Sequence, residues 1–240
     1  MRLLHEAQSH EENCFITLTY RDDDLPKDRS LSKRTLQLFI KRLRKKLGDK
    51  KIRYYGVGEY GKLHDREHYH LIVFGWTPSI TSLYKAYFKK GRQYYGSREL
   101  DTIWTYGFNV VGTVTSDSCQ YVAGYVRKKL TGALGEVQYK DKGRIPPFAI
   151  FSRGHGATYA FSIRDKIKND LSCSPAGKVS CLPRYYTKLM NVDPDKLRIK
   201  REVKELYQRG ELSVREFEKA KLKRAEQVIE DQMFWEGVRN

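Results

Sequence analysis

The chain has 240 residues, enough for one domain with a substantial core and an additional segment. It contains 46 Lys and Arg against 29 Asp and Glu, which leaves a formal net charge of +17. Such a surplus is unusual for a metabolic enzyme. It is typical of proteins that work against phosphates, because each neutralised phosphate releases counterions. Charge alone therefore favours nucleic acid as the partner.

Membrane and secretory functions are disfavoured by the same sequence. An acidic membrane surface would also attract the chain, but it has no run of 18 apolar residues that could span a bilayer. The first six residues lack the apolar region of a signal peptide. The four cysteines form no Cys-x-x-Cys pair, which argues against a zinc knuckle or a disulfide scaffold. We expect no membrane contact and a reducing cytoplasm.

The first predicted elements are a strand and a basic amphipathic helix. Residues 14–20 are rich in β-branched and aromatic types, which predicts a strand. Helical spacing of apolar residues over 36–47, with Gly48 at the expected C-cap, predicts a helix. Its other face carries seven Lys and Arg residues between positions 33 and 46. That face is either simply solvated or a contact to the DNA backbone.

The middle of the chain alternates between strands and helices. Two strands are predicted at 52–58 and 68–75, then helical segments at 82–90 and 97–106. A strand at 108–114 and a helix at 117–130 follow. The regular repeat of a doubly wound fold is missing. We therefore predict an α+β fold with a central, mostly antiparallel sheet flanked by helices.

The last hundred residues predict a looser region and then a helical tail. Pro146, Pro147, Gly154 and Gly156 interrupt the pattern, and a helix near 157–169 is expected to close the domain. A Ser-x-x-Glu capping box at positions 213–216 predicts a helical hairpin in the tail. The predicted organisation is a catalytic domain at 1–175 and a C-terminal helical extension at 176–240.

The sequence His68-Tyr69-His70 is the most informative motif. Residues two apart on a strand point to the same face, so both imidazoles would converge on one point. If 52–59 and 68–75 pair as a hairpin, Glu59 lies opposite His68. Two imidazoles and a carboxylate predict a divalent metal site. The alternative is a pair of surface histidines on an edge strand.

A second motif is Tyr121-x-x-x-Tyr125-x-x-Lys128-Lys129. In a helix, positions 121, 125 and 128 line one narrow face, separate from an apolar stripe that includes Val122. An aromatic pair at the edge of the core is the alternative interpretation. The adjoining lysines favour phosphate chemistry for the two phenols.

Taken together, these motifs resemble those of the HUH-superfamily rolling-circle replication initiators. The matching segments are 15–20, Glu59 with 68–70, and 121–129, in that order. The chain is most similar to the initiators of small single-stranded DNA phages of the Microviridae, the gokushovirus branch in particular. The resemblance covers roughly residues 14–190 and implies an HUH endonuclease fold. Relatives often carry a longer, cysteine-bearing leader.

The resemblance implies a function for each site residue. His68 and His70 would hold Mg²⁺ or Mn²⁺, with Glu59 as third ligand. Tyr125, with Lys128, matches the nucleophile of single-tyrosine relatives, and Tyr121 matches the extra tyrosine of the two-tyrosine class. Such enzymes nick one DNA strand at the origin, form a 5′-phosphotyrosine and leave a free 3′-OH primer. Which tyrosine acts first is left open.

Further residues and partners are expected on the same grounds. Thr17 and Thr19 would face the same side of the first strand and line a DNA channel, with Lys129 as another DNA contact. They could equally be ordinary residues of a half-buried strand. No P-loop motif is present, so unwinding would depend on a host helicase and synthesis on a host polymerase. The expected location is the cytoplasm of a host bacterium.

Three rival functions are compatible with parts of the pattern. A non-catalytic single-stranded-DNA-binding regulator would use the basic surface and the 17 tyrosines for stacking. An HUH transposase or relaxase would share the histidines. Relaxases, however, usually place the tyrosine ahead of the histidines, and compact transposases use one tyrosine. A hydrolytic metallonuclease would have no need of paired tyrosines.

Overall fold

A computed structural model describes residues 1–61, 65–89, 91–128, 135–164 and 183–191, together with residues 172–173, 180–181, 205, 209, 210 and 216. The side chains of residues 92, 125–128, 172, 173, 180 and 181 are outside this description. Contacts divide the chain into two compact units, Met1–Tyr159 and Ala160–Asn240. Because most of the second unit lies outside the described residues, the boundary at 175 and the tail hairpin at 213–216 stay predictions.

A seven-stranded sheet forms the centre of the first unit, and its described pairings are all antiparallel. The strands are β1 (Asn13–Tyr20), β2 (Arg53–Tyr60), β3 (Glu67–Phe74), β4 (Leu83–Lys89), β5 (Arg92–Ser97), β6 (Gly107–Gly112) and β7 (Phe148–Phe151). Their order in the sheet is β4-β5-β6-β1-β3-β2-β7. The predicted α+β class with an antiparallel sheet is confirmed.

Four labelled helices flank the sheet: α1 (Arg2–Ala7), α2 (Lys33–Leu47), α3 (Arg98–Asp101) and α4 (Ser116–Lys128). Short helical segments lie at Ile80–Ser82, Glu136–Lys140, Ala157–Ser162 and Arg184–Leu189, and a two-stranded ribbon at Ser172–Cys173 and Ser180–Cys181. None of the helices in the described ranges is long and apolar enough to cross a bilayer.

One face of the sheet, the α2 face, carries the main hydrophobic core. Alternate residues of β1 and β3, such as Ile16 and Leu71, pack there against Leu36, Phe39 and Leu43 of α2. Ser32 accepts a hydrogen bond from the amide of Thr35 and begins this helix, and Gly48 ends it with a φ of 60°. The predicted apolar spacing of α2 is confirmed.

The opposite face, the α4 face, is covered by α1 and α4. Cys119 and Val122 of α4 and Leu3 of α1 join a smaller core with Val57 and Ile72. This face carries the odd-numbered residues of β1 and the even-numbered residues of β3, since side chains alternate along a strand. His68, His70, Thr17 and Thr19 therefore all belong to the α4 face.

Two of the helix predictions were wrong. Residues 82–90 were expected to be helical, but Leu83–Lys89 forms β4 and pairs with β5. Aromatic residues favour the paired strand, and Gly91, with a φ of 73°, makes the reversal possible. The helix expected at 97–106 is only Arg98–Asp101, because Ile103 and Trp104 turn into the core.

The region after Gly132 contains a strand that sequence reasoning missed. Phe148–Phe151 forms β7 and pairs with β2, so it covers the outer edge of the strand that carries Glu59. The helix predicted at 157–169 is described as Ala157–Ser162, and residues 165–169 lie outside the description. The strand at 14–20 and the helix at 117–130 are close to the observed β1 and α4.

Candidate functional site

A carboxylate and two imidazoles converge at the end of the β2–β3 hairpin. Glu59 pairs with His68 in the register of the hairpin, as predicted. Its Oε1 lies 2.8 Å from Nε2 of His70 and 3.1 Å from Nε2 of His68. The three candidate ligand atoms lie within 4.8 Å of one another. Within the described ranges, this is the one cluster of His, Cys, Asp or Glu that could hold a metal ion.

Burial and hydrogen bonding hold this triad in its metal-binding protonation state. Burial lowers the pKa of His70, and this effect outweighs the opposing attraction of Glu59. Burial alone would raise the pKa of Glu59, but the hydrogen bonds from His68 and His70 outweigh it and lower the pKa. A neutral imidazole and an ionised carboxylate are the forms that coordinate metals.

The donor set fits a divalent cation. Two imidazole nitrogens and one carboxylate oxygen leave further coordination positions open for water or a phosphate oxygen. Glu59 and His70 are nearly buried, whereas His68 is partly exposed, so the cluster opens towards solvent on one side. These residues could therefore hold an ion that remains accessible to a substrate.

Thr17 fixes the orientation of His70. The two residues pair across β1 and β3, and Oγ1 of Thr17 lies 2.9 Å from Nδ1 of His70. If Nε2 faces an ion, Nδ1 carries the proton and donates it to the threonine oxygen. Thr19 lies one pair further along, opposite His68, and its hydroxyl approaches the carbonyl of Phe108 at 3.5 Å.

Helix α4 brings a tyrosine to the triad. The ring centroid of Tyr121 lies 5.2 Å from that of His70, at an interplanar angle of 81°, and its edge also meets Phe15. The neighbouring Val122 is buried in the core of the α4 face and anchors the helix. Tyr121 itself is 44% exposed. The phenol is thus at the metal cluster and accessible from outside.

The other predicted residues of this helix are only partly described. The backbone of α4 includes Tyr125 and Lys128, one turn or more beyond Tyr121, but their side chains lie outside the described residues, as does Lys129 entirely. The position of Gly124 hinted at close approach by another group. No described atom lies within 4 Å of where its Cβ would be, so that side of the helix is open.

A second buried polar cluster was missed by sequence reasoning. Glu6 of α1 contacts His10 at 3.1 Å, forms an ion pair with Arg53 of β2 and accepts a hydrogen bond from the amide of Gly156 at 2.6 Å. His155 was predicted as a polar loop residue rather than a ligand. It lies in a loop but is buried, with Nε2 at 3.1 Å from the carbonyl of Tyr54. No local motif signals a contact between residues 150 positions apart.

Comparison with known proteins identifies the family. A family profile of phage replication-associated proteins of the ORF2 type matches residues 13–130, which include the triad and α4. The chain belongs to the phage replication-associated proteins. This agrees with the family expected from the order of the sequence motifs.

Three curated phage replication-associated proteins are similar to the chain. ORF4 of Chlamydia phage 1 is 41% identical over 193 residues, which is 77% of this chain and 47% of the relative. VP4 of Bdellovibrio phage phiMH2K is 34% identical over 78% of this chain and 60% of the relative. ORF2 of Spiroplasma virus 4 is 31% identical, covering 75% and 58% respectively. The chain spans about half to three fifths of these relatives. No solved structure matches it.

Proposed function

We propose that the chain initiates rolling-circle DNA replication as a metal-dependent, site-specific nickase and ligase that forms a 5′-phosphotyrosine. The observation that carries this proposal is the contact between Tyr121 and His70 of the Glu59–His68–His70 cluster. A tyrosine in a purely structural role would be expected in the core, whereas this ring is exposed beside three candidate ligands.

The reaction is a transesterification, so no water is consumed in the nicking step. A Mg²⁺ or Mn²⁺ ion bound by the triad would supply Lewis-acid polarisation of the scissile phosphate. The tyrosine oxygen forms a bond to phosphorus while the bond from phosphorus to the 3′ oxygen breaks. The phenol loses its proton, and the departing 3′ oxygen gains one. The products are a 5′-phosphotyrosine and the free 3′-OH primer.

A phenol needs assistance for this reaction. Its ordinary pKa is near 10, so only about a thousandth is ionised at neutral pH. In our proposal the ammonium of Lys128, three residues after Tyr125, supplies part of the missing stabilisation of the phenolate. Lys129, Thr17 and Thr19 contact the DNA strand, and placement on a packed helix reduces the entropic cost of attack.

Two tyrosines one helical turn apart provide a second cut. Tyr121 and Tyr125 both lie on α4, and positions four apart share a helix face. While one tyrosine holds the original 5′ end, the other can cleave the regenerated origin. The released 3′-OH then attacks the first phosphotyrosine and closes a unit-length circle. This order of events conserves the energy of each phosphodiester bond.

The proposed substrate is single-stranded DNA at a phage replication origin. The three similar proteins are named as replication-associated, and the charge of +17 suits a polyanionic partner. Host helicase and polymerase are the proposed partners for unwinding and synthesis, in the cytoplasm of the host bacterium.

The test is a cleavage assay on labelled single-stranded DNA tiled across the genome that encodes the chain. Wild type with Mn²⁺ is expected to give a covalent adduct on a denaturing gel. The adduct should disappear without metal, in His70→Ala and in the double variant Tyr121→Phe/Tyr125→Phe. Tyr185→Phe, a half-buried tyrosine outside α4, is the matched control and should retain activity. The two single variants rank the tyrosines.

Other outcomes of this assay would replace the proposal. Cleavage without an adduct would identify a hydrolytic metallonuclease. Binding without cleavage under Mg²⁺ and Mn²⁺, with the double tyrosine variant equal to wild type, would identify a non-catalytic DNA-binding regulator.

A further inference from the structure

The β4–β5 hairpin is a basic segment with exposed aromatic rings. Between Glu67 and Glu99 the sequence contains no acidic residue, and five basic residues fall in that interval: Lys85, Lys89, Lys90, Arg92 and Arg98. The last five residues of β4 are all exposed. Such a segment carries positive charge that no acidic neighbour along the chain neutralises.

The aromatic side chains of the hairpin are exposed in an unusual way. Phe88 is 71% exposed, and Tyr87 and Tyr95 are also exposed. A phenylalanine has no polar atom that could interact with water, so full burial would ordinarily be favourable. The rings of Tyr87 and Tyr94 stack at 4.7 Å with an interplanar angle of 17°, and so form a flat platform.

A row of cross-strand neighbours leads from the metal cluster towards this hairpin. Glu59 pairs with His68, His68 with Thr19, and Thr19 with Phe108. All four belong to the α4 face. Phe108 is 60% exposed and lies two strands from His68, about 10 Å away at the usual strand spacing. The next strands outward in the sheet are β5 and β4.

We propose that the β4–β5 hairpin, with Phe108 as the intermediate contact, binds single-stranded DNA that flanks the strand held at the metal cluster. This proposal rests on the proposed function for its orientation towards the site. Exposed aromatic rings stack on bases, and lysines contact the phosphates between them. Duplex DNA hides the faces of its bases inside the stack, so the exposed rings favour a single strand.

The basic face of α2 is a poorer candidate for the same function. It lies on the α2 side of the sheet, away from the triad. Several of its cations make contacts within the protein. Arg42 donates to the carbonyl of Ile103, Lys46 to the carbonyl of Glu99, and Arg44 lies over the ring of Tyr54. The exposed Lys41 and Lys45 therefore provide matched control positions with the same charge.

The experiment measures equilibrium binding of a fluorescent mixed-sequence single-stranded oligonucleotide by anisotropy, in EDTA so that no cleavage occurs. Phe88→Ala should weaken binding about tenfold, since it removes one stacked base. Phe161→Ala, an exposed phenylalanine outside the hairpin, should leave binding unchanged. Lys85→Ala/Lys89→Ala should reduce the salt dependence of log K by about 1.4, whereas Lys41→Ala/Lys45→Ala should not.

Crosslinking provides an independent measurement. An oligonucleotide that contains bromodeoxyuridine should crosslink to residues 84–95 and to Phe108 upon irradiation. Circular dichroism should show that the exposed substitutions leave the fold intact. Equal binding by the hairpin and control variants, or crosslinks confined to α2, would overturn the proposal. So would an oligonucleotide affinity lower than that for the corresponding duplex. Because the assay lacks metal and cleavage, failure of the nickase would not alter its result.

Discussion

Two buried glutamates at opposite ends of the same strand face have different surroundings. Glu59 ends β2 beside His68 and His70, and Glu6 contacts Arg53 near the start of β2 beside His10 and His155. Both carboxylates are almost fully buried, and burial opposes their ionisation. Both nevertheless have a lowered pKa.

The source of the compensating charge differs between the two clusters. Glu6 is neutralised by the guanidinium of Arg53, which is always charged, and by the amide of Gly156. Glu59 is contacted by imidazoles alone, and burial lowers the pKa of His70. The Glu6 cluster is complete without an ion, whereas the Glu59 cluster gains a permanent cation only from outside. A group of carboxylate and histidines is therefore a metal site only where the protein has not supplied its own cation.

The largest effect is expected from removal of a metal ligand. Glu59→Gln and His70→Ala should weaken Mn²⁺ binding at least about 100-fold, because each removes one of three ligands. Isothermal titration calorimetry measures the affinity directly. His10→Ala, which changes the other cluster, should bind Mn²⁺ as wild type does. Equal losses in all three variants would refute the distinction between the clusters.

The stability of the Glu6 cluster should depend on pH. Burial lowers the pKa of both His5 and His155 to about 4, from an ordinary value of 6.5. Between pH 6.5 and 4 the unfolded chain takes up protons that the folded chain refuses, so the free energy of unfolding falls as pH falls. The loss should approach roughly 3 kcal/mol per histidine. Below about pH 4.5, protonation of Glu6 and Glu59 in the unfolded chain adds to it.

Urea unfolding at pH 7, 6, 5 and 4 measures this dependence. His155→Gln removes one of the two titrating groups and should flatten the curve by about half. A wild-type unfolding free energy that is constant from pH 6.5 to 4 would contradict the buried, neutral state of both histidines.

Loss of the Glu6 carboxylate should destabilise the fold without affecting metal binding. Glu6→Gln should reduce the free energy of unfolding by about 2 kcal/mol, since it leaves Arg53 and the buried histidines without their anion. Glu12→Gln breaks only the exposed pair with Lys50 and should cost less than about 0.5 kcal/mol. Urea unfolding at pH 7 compares the two variants, and an equal cost would show that burial of Glu6 is irrelevant.

The smallest effect concerns the orientation of His70. Thr17→Val keeps the shape of the side chain but removes the hydroxyl that lies 2.9 Å from Nδ1. Mn²⁺ affinity should fall about tenfold, as is usual when a partner of a ligand is lost. Thr19→Val removes a hydroxyl that contacts a backbone carbonyl instead and should retain the wild-type affinity. The reverse result would assign the orienting function to Thr19.

The metal cluster was predictable because its geometry follows from local rules. Strand alternation puts His68 and His70 on one face, and the short loop of the hairpin fixes Glu59 opposite His68. The same holds for α2, whose apolar spacing identifies its buried side. The contact between Tyr121 and His70 could be expected only from the resemblance, since it depends on how α4 packs on the sheet.

The remaining features depend on contacts that are distant in sequence. Residues 83–89 contain lysines and alanine, which are compatible with a helix, and only pairing with β5 decides for a strand. Strand β7 lies in a segment interrupted by prolines and forms through its pairing with β2. The contact of Glu6 with Gly156 joins the two ends of the first unit. No pattern within a short window encodes these pairings.

The position of β3 between β1 and β2 has a consequence for the ligands. Pairing on both sides from His68 to Phe74 should make its amides the slowest in the unit to exchange with deuterated solvent. The backbone that carries His68 and His70 is thus ordered when the chain folds rather than when an ion arrives. Loading with Mn²⁺ should leave the exchange pattern of β3 unchanged, and the centre behaves as a rigid receptor for its ion.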